Sequence, residues 1–283
     1  MDDGTVTNLG AIFLPQNPPE RLPAVARAAE EAGLEQLWLW EDCFLNSGIA
    51  AAAAALAGTE RLKVGIGLMP VPFRNVALAA MEIATLHRLF GDRAIAGIGH
   101  GVQDWMGQVG ARAASPLTLL REYTVALKSL LRGDEVTTDG RYVHLDAVKL
   151  DWPPAPPARV LIGATGPKSL RLAGELADGT ILTSATSPAG VTEALAHIQP
   201  GEDHEVVVFM AATTGPGAAE ALERGKFAGD WGVAGDAATI AAGVEELARA
   251  GATTVVLQPV PGNDITPEDF VRFVAREVRP LVN

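Results

Sequence analysis

The sequence predicts an α/β protein folded as one (β/α)8 TIM barrel with a hairpin inserted at its rim, and three observations lead there. Short apolar, β-branched runs alternate with amphipathic helical stretches from one end of the chain to the other, the signature of parallel β/α units. The apolar runs number eight, the count at which such units close into a barrel. The 283 residues suit a barrel of one domain, residues 1–283, and hold neither an internal repeat nor a second set of core-forming segments.

Taken in order, the strands fall at Leu9–Leu14, Gln36–Trp40, Lys63–Met69, Ala94–Gly99, Val160–Gly163, Gly179–Thr183, Glu205–Ala212 and Thr254–Gln258. The first helix sets Leu22, Val25, Ala26 and Ala29 on one face and ends at Gly33, a residue suited to a left-handed cap. The run Ala50–Ala55 reads as helix, because alanine is the strongest helix former and its small side chain lets a helix sit close to a sheet. Ser115-Pro116 opens another helix, which carries Leu119, Leu120, Tyr123 and Leu127 inward and stops at Gly133. Glu135 to Leu150 alternates polar and apolar residues around Asp139-Gly140, a two-residue hairpin signal. Trp152-Pro153-Pro154-Ala155-Pro156-Pro157 follows as a stiff, extended connector. The last helix begins Thr266-Pro267-Glu268-Asp269 and presents Phe270, Phe273 and Val274 to the core.

Composition narrows the function. A net charge of -12 and a pI near 4.9 repel a polyanion, and no basic stripe offsets them, so nucleic acid is excluded as a partner. No apolar run approaches the ~20 residues that cross a bilayer. The opening Met1-Asp2-Asp3 lacks the basic and apolar parts of a signal peptide, so a cytoplasmic protein is expected. The single cysteine, Cys43, allows no intramolecular disulfide, and the five histidines have no zinc-like spacing, so no metal site is expected. A serine hydrolase lacks its Gly-x-Ser-x-Gly elbow here, and a Schiff-base aldolase its lysine at a strand's C-terminal end.

In such a barrel the active site gathers at the C-terminal ends of the strands. The fifth strand, Val160-Leu161-Ile162, runs into Gly163-Ala164-Thr165-Gly166, and a helix opens at once with Pro167-Lys168-Ser169. Pro167 suits the first helical position and Gly166 the cap, so unpaired amides and the helix dipole favour an anion there, with Lys168 near enough to add charge. An ordinary strand-to-helix turn uses the same glycine and proline, so the turn is either a phosphate cradle or a plain connection. The second strand delivers Glu41-Asp42 from an apolar run. One of them, partly desolvated, can hold a proton while the other orients it. The alternative is that they cap the next helix or pair with an arginine such as Arg74. Gly65 and Gly67 weaken a buried third strand unless a bulge or a ligand needs close approach. The fourth strand ends Gly97-Ile98-Gly99-His100-Gly101, followed by Gln103 and Trp105, and no helix is expected before Ser115. Those glycines therefore suit a planar ring at the barrel mouth better than a dinucleotide fingerprint. His100 is either a ligand contact or a rim histidine.

Together, Trp38-Leu39-Trp40-Glu41-Asp42, the strand Val64 to Met69 with Pro72-Phe73-Arg74-Asn75, Gly97 to Gly101, and Ile162 to Lys168 with Leu172 to Gly179 resemble the bacterial luciferase-like superfamily. Within it they look like the coenzyme F420-dependent oxidoreductases, down to the closing Trp231-Gly232-Val233-Ala234-Gly235-Asp236. The resemblance implies a barrel, often a homodimer, that binds a deazaflavin or flavin at its C-terminal mouth. It implies that Gly67, Leu68 and Met69 form a bulge behind the ring, with a non-proline cis peptide at Gly67-Leu68. Gly99, His100, Gly101 and Gln103 would surround the ring and its side chain, and Gly163, Ala164, Thr165, Gly166, Pro167 and Lys168 would hold the phosphate. Proton transfer falls to Asp42, which stands where many relatives have a histidine, with Glu41 positioning it. Val102 stands where the sugar-phosphate-oxidising branch has a glutamate, so glucose 6-phosphate is not the expected substrate. The expected activity is hydride transfer between F420 and a small organic molecule. An FMN-dependent monooxygenase and a non-catalytic flavin-binding protein are the alternatives. Trp105, Met106, Trp152 and Trp231 are candidates for an aromatic substrate pocket.

Overall fold

The computed structural model describes residues 7–224, 231–260 and 265–282. Its strands, among those residues, are β1 (Asn8–Phe13), β2 (Gln36–Leu39), β3 (Lys63–Pro70), β4 (Ala94–Gly99), β5 (Val136–Asp139), β6 (His144–Val148), β7 (Val160–Gly163), β8 (Gly179–Leu182), β9 (Glu205–Thr213), β10 (Gly232–Ala234) and β11 (Thr254–Pro259). The helices are α1 (Leu22–Ala32), α2 (Gly48–Ala57), α3 (Val76–Phe90), α4 (Gln103–Gln108), α5 (Pro116–Leu131), α6 (Pro167–Leu176), α7 (Pro188–Ile198), α8 (Ala218–Arg224), α9 (Ala237–Arg249) and α10 (Pro267–Phe273). The parallel order β9-β11-β1-β2-β3-β4-β7-β8, closed by pairing of β8 with β9, is the eight-stranded barrel that the alternation of apolar runs and helices predicts. No helix among the described residues is long and apolar enough to cross a membrane.

The helices pack as their apolar faces require. Leu22, Val25, Ala26 and Ala29 of α1 are buried, and the helix ends at Gly33 with φ 85° and its N–H on the Ala29 carbonyl. Ala52, Ala55 and Leu56 bring α2 against the sheet. In α10 the Thr266 Oγ1 accepts the Asp269 N–H at 3.1 Å, and Phe270 and Phe273 turn inward.

Inside the barrel lies a second, smaller core of Ile12, Leu14, Trp38, Leu161, Ile181, Val207, Phe209 and Val256. Its centre is aromatic: the Trp38 and Phe209 rings meet edge to face at 5.7 Å, and Trp40 tilts over Phe209 at 5.9 Å. The glycines of β3 exist to admit these rings. A Cβ on Gly65 would lie 2.6 Å from Trp38 Cε2 and Cε3, and one on Gly67 would lie 2.8 Å from Phe209 Cζ. The flat groups pressing on this strand are therefore the protein's own side chains, each contributing on the order of 2–3 kcal/mol by its burial.

Three local expectations need correction. The hairpin of β5 and β6 pairs Asp139 with His144, so its loop spans four residues, not two. Glu122 explains the longer loop, since its carboxylate accepts the N–H groups of Arg141, Tyr142 and Val143. A short helix, α4, begins at Gln103, well before Ser115. Gly101, at φ 68°, turns the chain out of β4, and Arg112 ties α4 down by donating to the Gln103 carbonyl and the Asp104 carboxylate. Finally, β3 does bulge, its register against β4 shifting between Ile66 and Met69, but the Gly67-Leu68 peptide is trans. The non-proline cis peptide among the described residues is Cys43-Phe44.

The barrel is not uniform along its axis. The lower half of β9 pairs with β8 through Leu182 and Val208, whereas its upper half, Ala211 to Thr213, pairs with β10. Trp231 N–H donates to the Ser184 carbonyl at 3.0 Å, joining the approach to β10 back to the chain beyond β8. Among the described residues, eight strands ring the floor and nine segments ring the mouth.

Candidate active site

A cavity of about 610 Å³ opens at that mouth. It brings together Glu41 and Asp42 after β2, Gly67 and Leu68 of the bulge, His100 and Gly101 after β4, and Gly163, Ala164 and Thr165 at the end of β7. Four expected cofactor residues stand just beyond its lining. Gly166, Pro167 and Lys168 continue the same turn, and Gln103 Nε2 donates to the carbonyls of His100 and Gly101 at 3.3 Å, holding that corner. Met69 belongs to the outer core, 2% exposed. Gly99 lies beneath Leu68, whose Cδ2 would stand 2.6 Å from a Cβ there and 2.5 Å from one on Gly163. Leu68 thus covers both strand ends and forms the cavity's inner wall.

The acidic pair divides sharply. Glu41 is buried, and its carboxylate receives Arg74 Nη1 at 2.7 Å, Arg74 Nη2 at 2.9 Å and the Gly48 N–H at 2.7 Å. It accepts the first N–H of α2 and pairs with Arg74, the structural alternative, and both of its oxygens are engaged by donors. Arg74 Nε also lies 3.2 Å from Glu82. Burial works against the Arg74 charge, but the hydrogen bonds and charge of Glu41, helped by Glu82, hold it firmly protonated. Burial raises the Glu82 carboxyl, with Arg74 pulling it back down. Asp42 is different: half-buried on the cavity wall, its carboxylate has no hydrogen-bond partner among the described residues. Desolvation raises its pKa above the ordinary aspartate value.

Across the cavity, α6 presents its N-terminus. Pro167 occupies the first turn, and the N–H groups of Thr165, Gly166, Lys168 and Ser169 donate to nothing among the described residues. A Cβ on Gly166 would meet no atom within 4 Å, so the space above the turn is open. Its φ of -89° and ψ of 151° are ordinary extended values, so the glycine provides room here and no unusual backbone. Ser169 Oγ is bound by His100 Nε2 at 2.8 Å, which ties the end of β4 to the turn. Burial lowers the His100 pKa, the Pro116 backbone pulling the other way, and so favours the neutral imidazole.

Several lining residues escape the sequence reading, among them Leu14, Gln16, Trp40, Thr183, Ser184, Phe209 and Gln258. Leu14, Thr183 and Gln258 were detectable in principle, since each sits at the C-terminal end of a barrel strand. Of the proposed aromatic pocket only Trp105 lines the cavity. Met106 is fully buried, Trp231 packs on the outer core, and the exposed Trp152 stacks under Arg88, 5.1 Å from its ring centre. No cluster of His, Cys, Asp and Glu among the described residues could hold a metal ion.

Residues 5–228 match the model of the luciferase-like monooxygenase family. The chain belongs to that family. It is 33% identical over 193 residues to the 5,10-methylenetetrahydromethanopterin reductase of Methanolobus tindarius, a match that covers 68% of this chain and 58% of that protein. It is 26% identical to the reductase of the same name from Archaeoglobus fulgidus, over 96% of this chain and 98% of that one. Among solved structures of similar fold, a coenzyme F420-dependent tetrahydromethanopterin reductase from Methanopyrus kandleri superposes with a TM-score of 0.84 at 21% identity, covering 98% of this chain and 100% of that one. An F420-dependent secondary alcohol dehydrogenase holding an F420-acetone adduct gives 0.85 at 18%, with the same coverage. A protein in complex with FMN shares the fold: the oxygenating constituent of 3,6-diketocamphane monooxygenase from Pseudomonas putida gives a TM-score of 0.80 at 15% identity, covering 98% of this chain and 99% of that one.

Proposed function

We propose that this family member is an F420-dependent oxidoreductase that transfers a hydride between the deazaflavin and a small organic substrate. The observation that carries the reading is one cavity that joins an anion seat to an unpaired acid. On one side stand the acceptor-free amides of Thr165, Gly166, Lys168 and Ser169 at the α6 N-terminus; on the other stands Asp42 with a raised pKa. The F420-dependent tetrahydromethanopterin reductase and the F420-dependent secondary alcohol dehydrogenase of the same fold support the choice of cofactor.

The residues fit a phosphate-bearing cofactor by an internal criterion: buried or helix-end amides need acceptors, and these have none among the described residues. Thr165, Gly166, Lys168 and Ser169 would hold the phosphate, with the exposed Lys168 ammonium adding charge, and Leu68, His100 and Gly101 would line the space for a ring. F420, when bound, supplies or accepts the hydride. The chain's own work is to place the substrate and handle the proton. Asp42 Oδ holds a proton at a pH where an ordinary aspartate has lost it, and can give it to, or take it from, a substrate heteroatom. Glu41 serves as the support of Asp42. Clamped by Arg74, it fixes the end of β2 and the start of α2, and so fixes Asp42. Leu14, Trp40, Ile181 and Phe209 keep the floor dry.

The same reading makes the protein a cytoplasmic homodimer. The apolar stripe on α3, where Leu78, Met81 and Leu89 are exposed, supports a self-association surface. The test of the cofactor is direct: titrate F420 and FMN separately into the protein, follow the quenching of their fluorescence, then assay reduction of bound F420 with candidate alcohols. Tight F420 binding with turnover is expected. Preference for FMN with oxygen-consuming turnover would move the protein to the monooxygenase branch, and affinity without turnover would make it a flavin carrier.

A further inference from the structure

The cavity has a charge inventory that restricts what can react in it. Among the described residues no lysine or arginine lines it. Of its two carboxylates, Glu41 is neutralised by the bidentate Arg74, which itself stands outside the lining. Asp42 has no counter-charge. His100 has Nε2 on Ser169 and Nδ1 buried without a hydrogen bond, so it offers no positive charge to a substrate. The rest of the floor and wall is apolar, formed by Leu14, Trp40, Leu68, Trp105, Ile181 and Phe209. Gln16, Thr183, Ser184 and Gln258 supply uncharged polar groups. Among the described residues the seat for an anion is the α6 turn after β7, three strands along the barrel from the β2 end that carries Asp42.

We propose that the substrate is an uncharged, mainly apolar small molecule with one heteroatom at its reacting carbon, a ketone or secondary alcohol in class, and that molecules carrying a carboxylate or phosphate on that body are rejected. The location rests on the function proposed above; the charge argument does not. An anion entering beside Asp42 would leave water, find no cation among the described lining residues and face a like charge whenever Asp42 is ionised. A neutral ketone loses little hydration, is not repelled by Asp42 in either protonation state, and accepts a hydrogen bond from it when the carboxyl carries its proton. Size follows as well, since a ring and a substrate must share about 610 Å³, near the middle of the range for a single small ligand.

A matched pair tests this: 4-oxocyclohexanecarboxylate and its methyl ester, which share the ring ketone and differ in charge. Each is titrated calorimetrically into protein saturated with oxidised F420, so that the α6 turn is already filled. The ester is expected to bind about tenfold or more tightly than the acid. Asp42→Asn, which removes the repelling charge, should narrow that gap several-fold. Val102→Arg, a change at an exposed lining position, should raise affinity for the carboxylate about tenfold while leaving the ester nearly unchanged. A carboxylate that binds wild-type protein as well as the ester overturns the proposal. If the protein takes up neither F420 nor FMN, the proposed function fails instead. The same titration in excess inorganic phosphate, which occupies the turn, then decides the charge preference separately.

Discussion

Replacing Gly166 by valine should separate cofactor binding from folding. At this position φ and ψ lie in the extended region that β-branched residues favour, and no atom stands within 4 Å of the new Cβ. The fold therefore loses only the difference between glycine and valine as a helix cap, about 1 kcal/mol, or a fall of roughly 2–4 °C in melting temperature. The isopropyl group fills the space above the turn, where a phosphate must approach the amides of Thr165, Gly166, Lys168 and Ser169. Each hydrogen bond from an amide to a charged group is worth about 1.5–3 kcal/mol. Losing two of the four costs about 3–6 kcal/mol, which weakens F420 binding by roughly 10²- to 10⁴-fold. Fluorescence-quenching titrations of wild type and variant, with thermal melts alongside, measure both quantities. Full affinity in a variant that melts normally would show that the phosphate is held elsewhere, and the anion seat at α6 would lose its function.

Three further outcomes follow from the site and its support. Asp42→Asn should keep F420 affinity while lowering the hydride-transfer rate by about 10²- to 10⁴-fold in single-turnover measurements; a loss below tenfold would move the proton to His100 or solvent. Because the folded-state pKa of Asp42 is raised, its contribution favours folding at pH below the unfolded value and is lost as pH rises through the folded value. The same variant should accordingly melt higher than wild type at pH 7, with the difference vanishing in acid. Arg74→Met leaves Glu41 and Glu82 buried without their cation, a cost of about 3–5 kcal/mol and a drop of roughly 10 °C, readable by calorimetry. Gly65→Ala drives a methyl into the Trp38 indole and should destabilise by about 1–3 kcal/mol in denaturant melts, whereas neutrality there would mean that the aromatic plug yields easily.

The barrel was legible because its information is local. Eight short apolar runs, Gly33 and Gly133 at helix ends, and Gly166-Pro167 at a helix start each need only a few neighbouring residues to be read. The site was legible where it follows from strand ends, as at Asp42, His100 and Thr165. What sequence could not decide was pairing across distance. Arg74 lies 33 positions from Glu41, and nothing in either segment says that they meet. A partial signal existed nonetheless: Trp38 and Trp40 face the barrel interior, so alternation turns Glu41 outward with Leu39, toward the helices and away from the axis. The side chains packed over the strand glycines were hidden for the same reason. The rings that occupy the space over Gly65 and Gly67 come from Trp38, Trp40 and Phe209, and the last of these is far along the chain. The hairpin loop was lengthened by Glu122, again a remote residue.

The splitting of β9 between β8 below and β10 above gives the barrel a taper. Barrel width grows with strand number, so a wall of eight segments at the floor and nine at the rim is a funnel by construction. A funnel can be packed solid at its narrow end and hollow at its wide end without thinning any side chain in the middle. The depth of the hollow is then set by the plug of Trp38 and Phe209, and its breadth by the three residues of β10. Depth and breadth can therefore be altered independently: trimming Phe209 lowers the floor, while changes around Gly232 to Ala234 move the rim. A family that keeps one barrel and varies what it accommodates has, in this seam between β8 and β9, a place to adjust width that leaves the load on the closed lower ring unchanged.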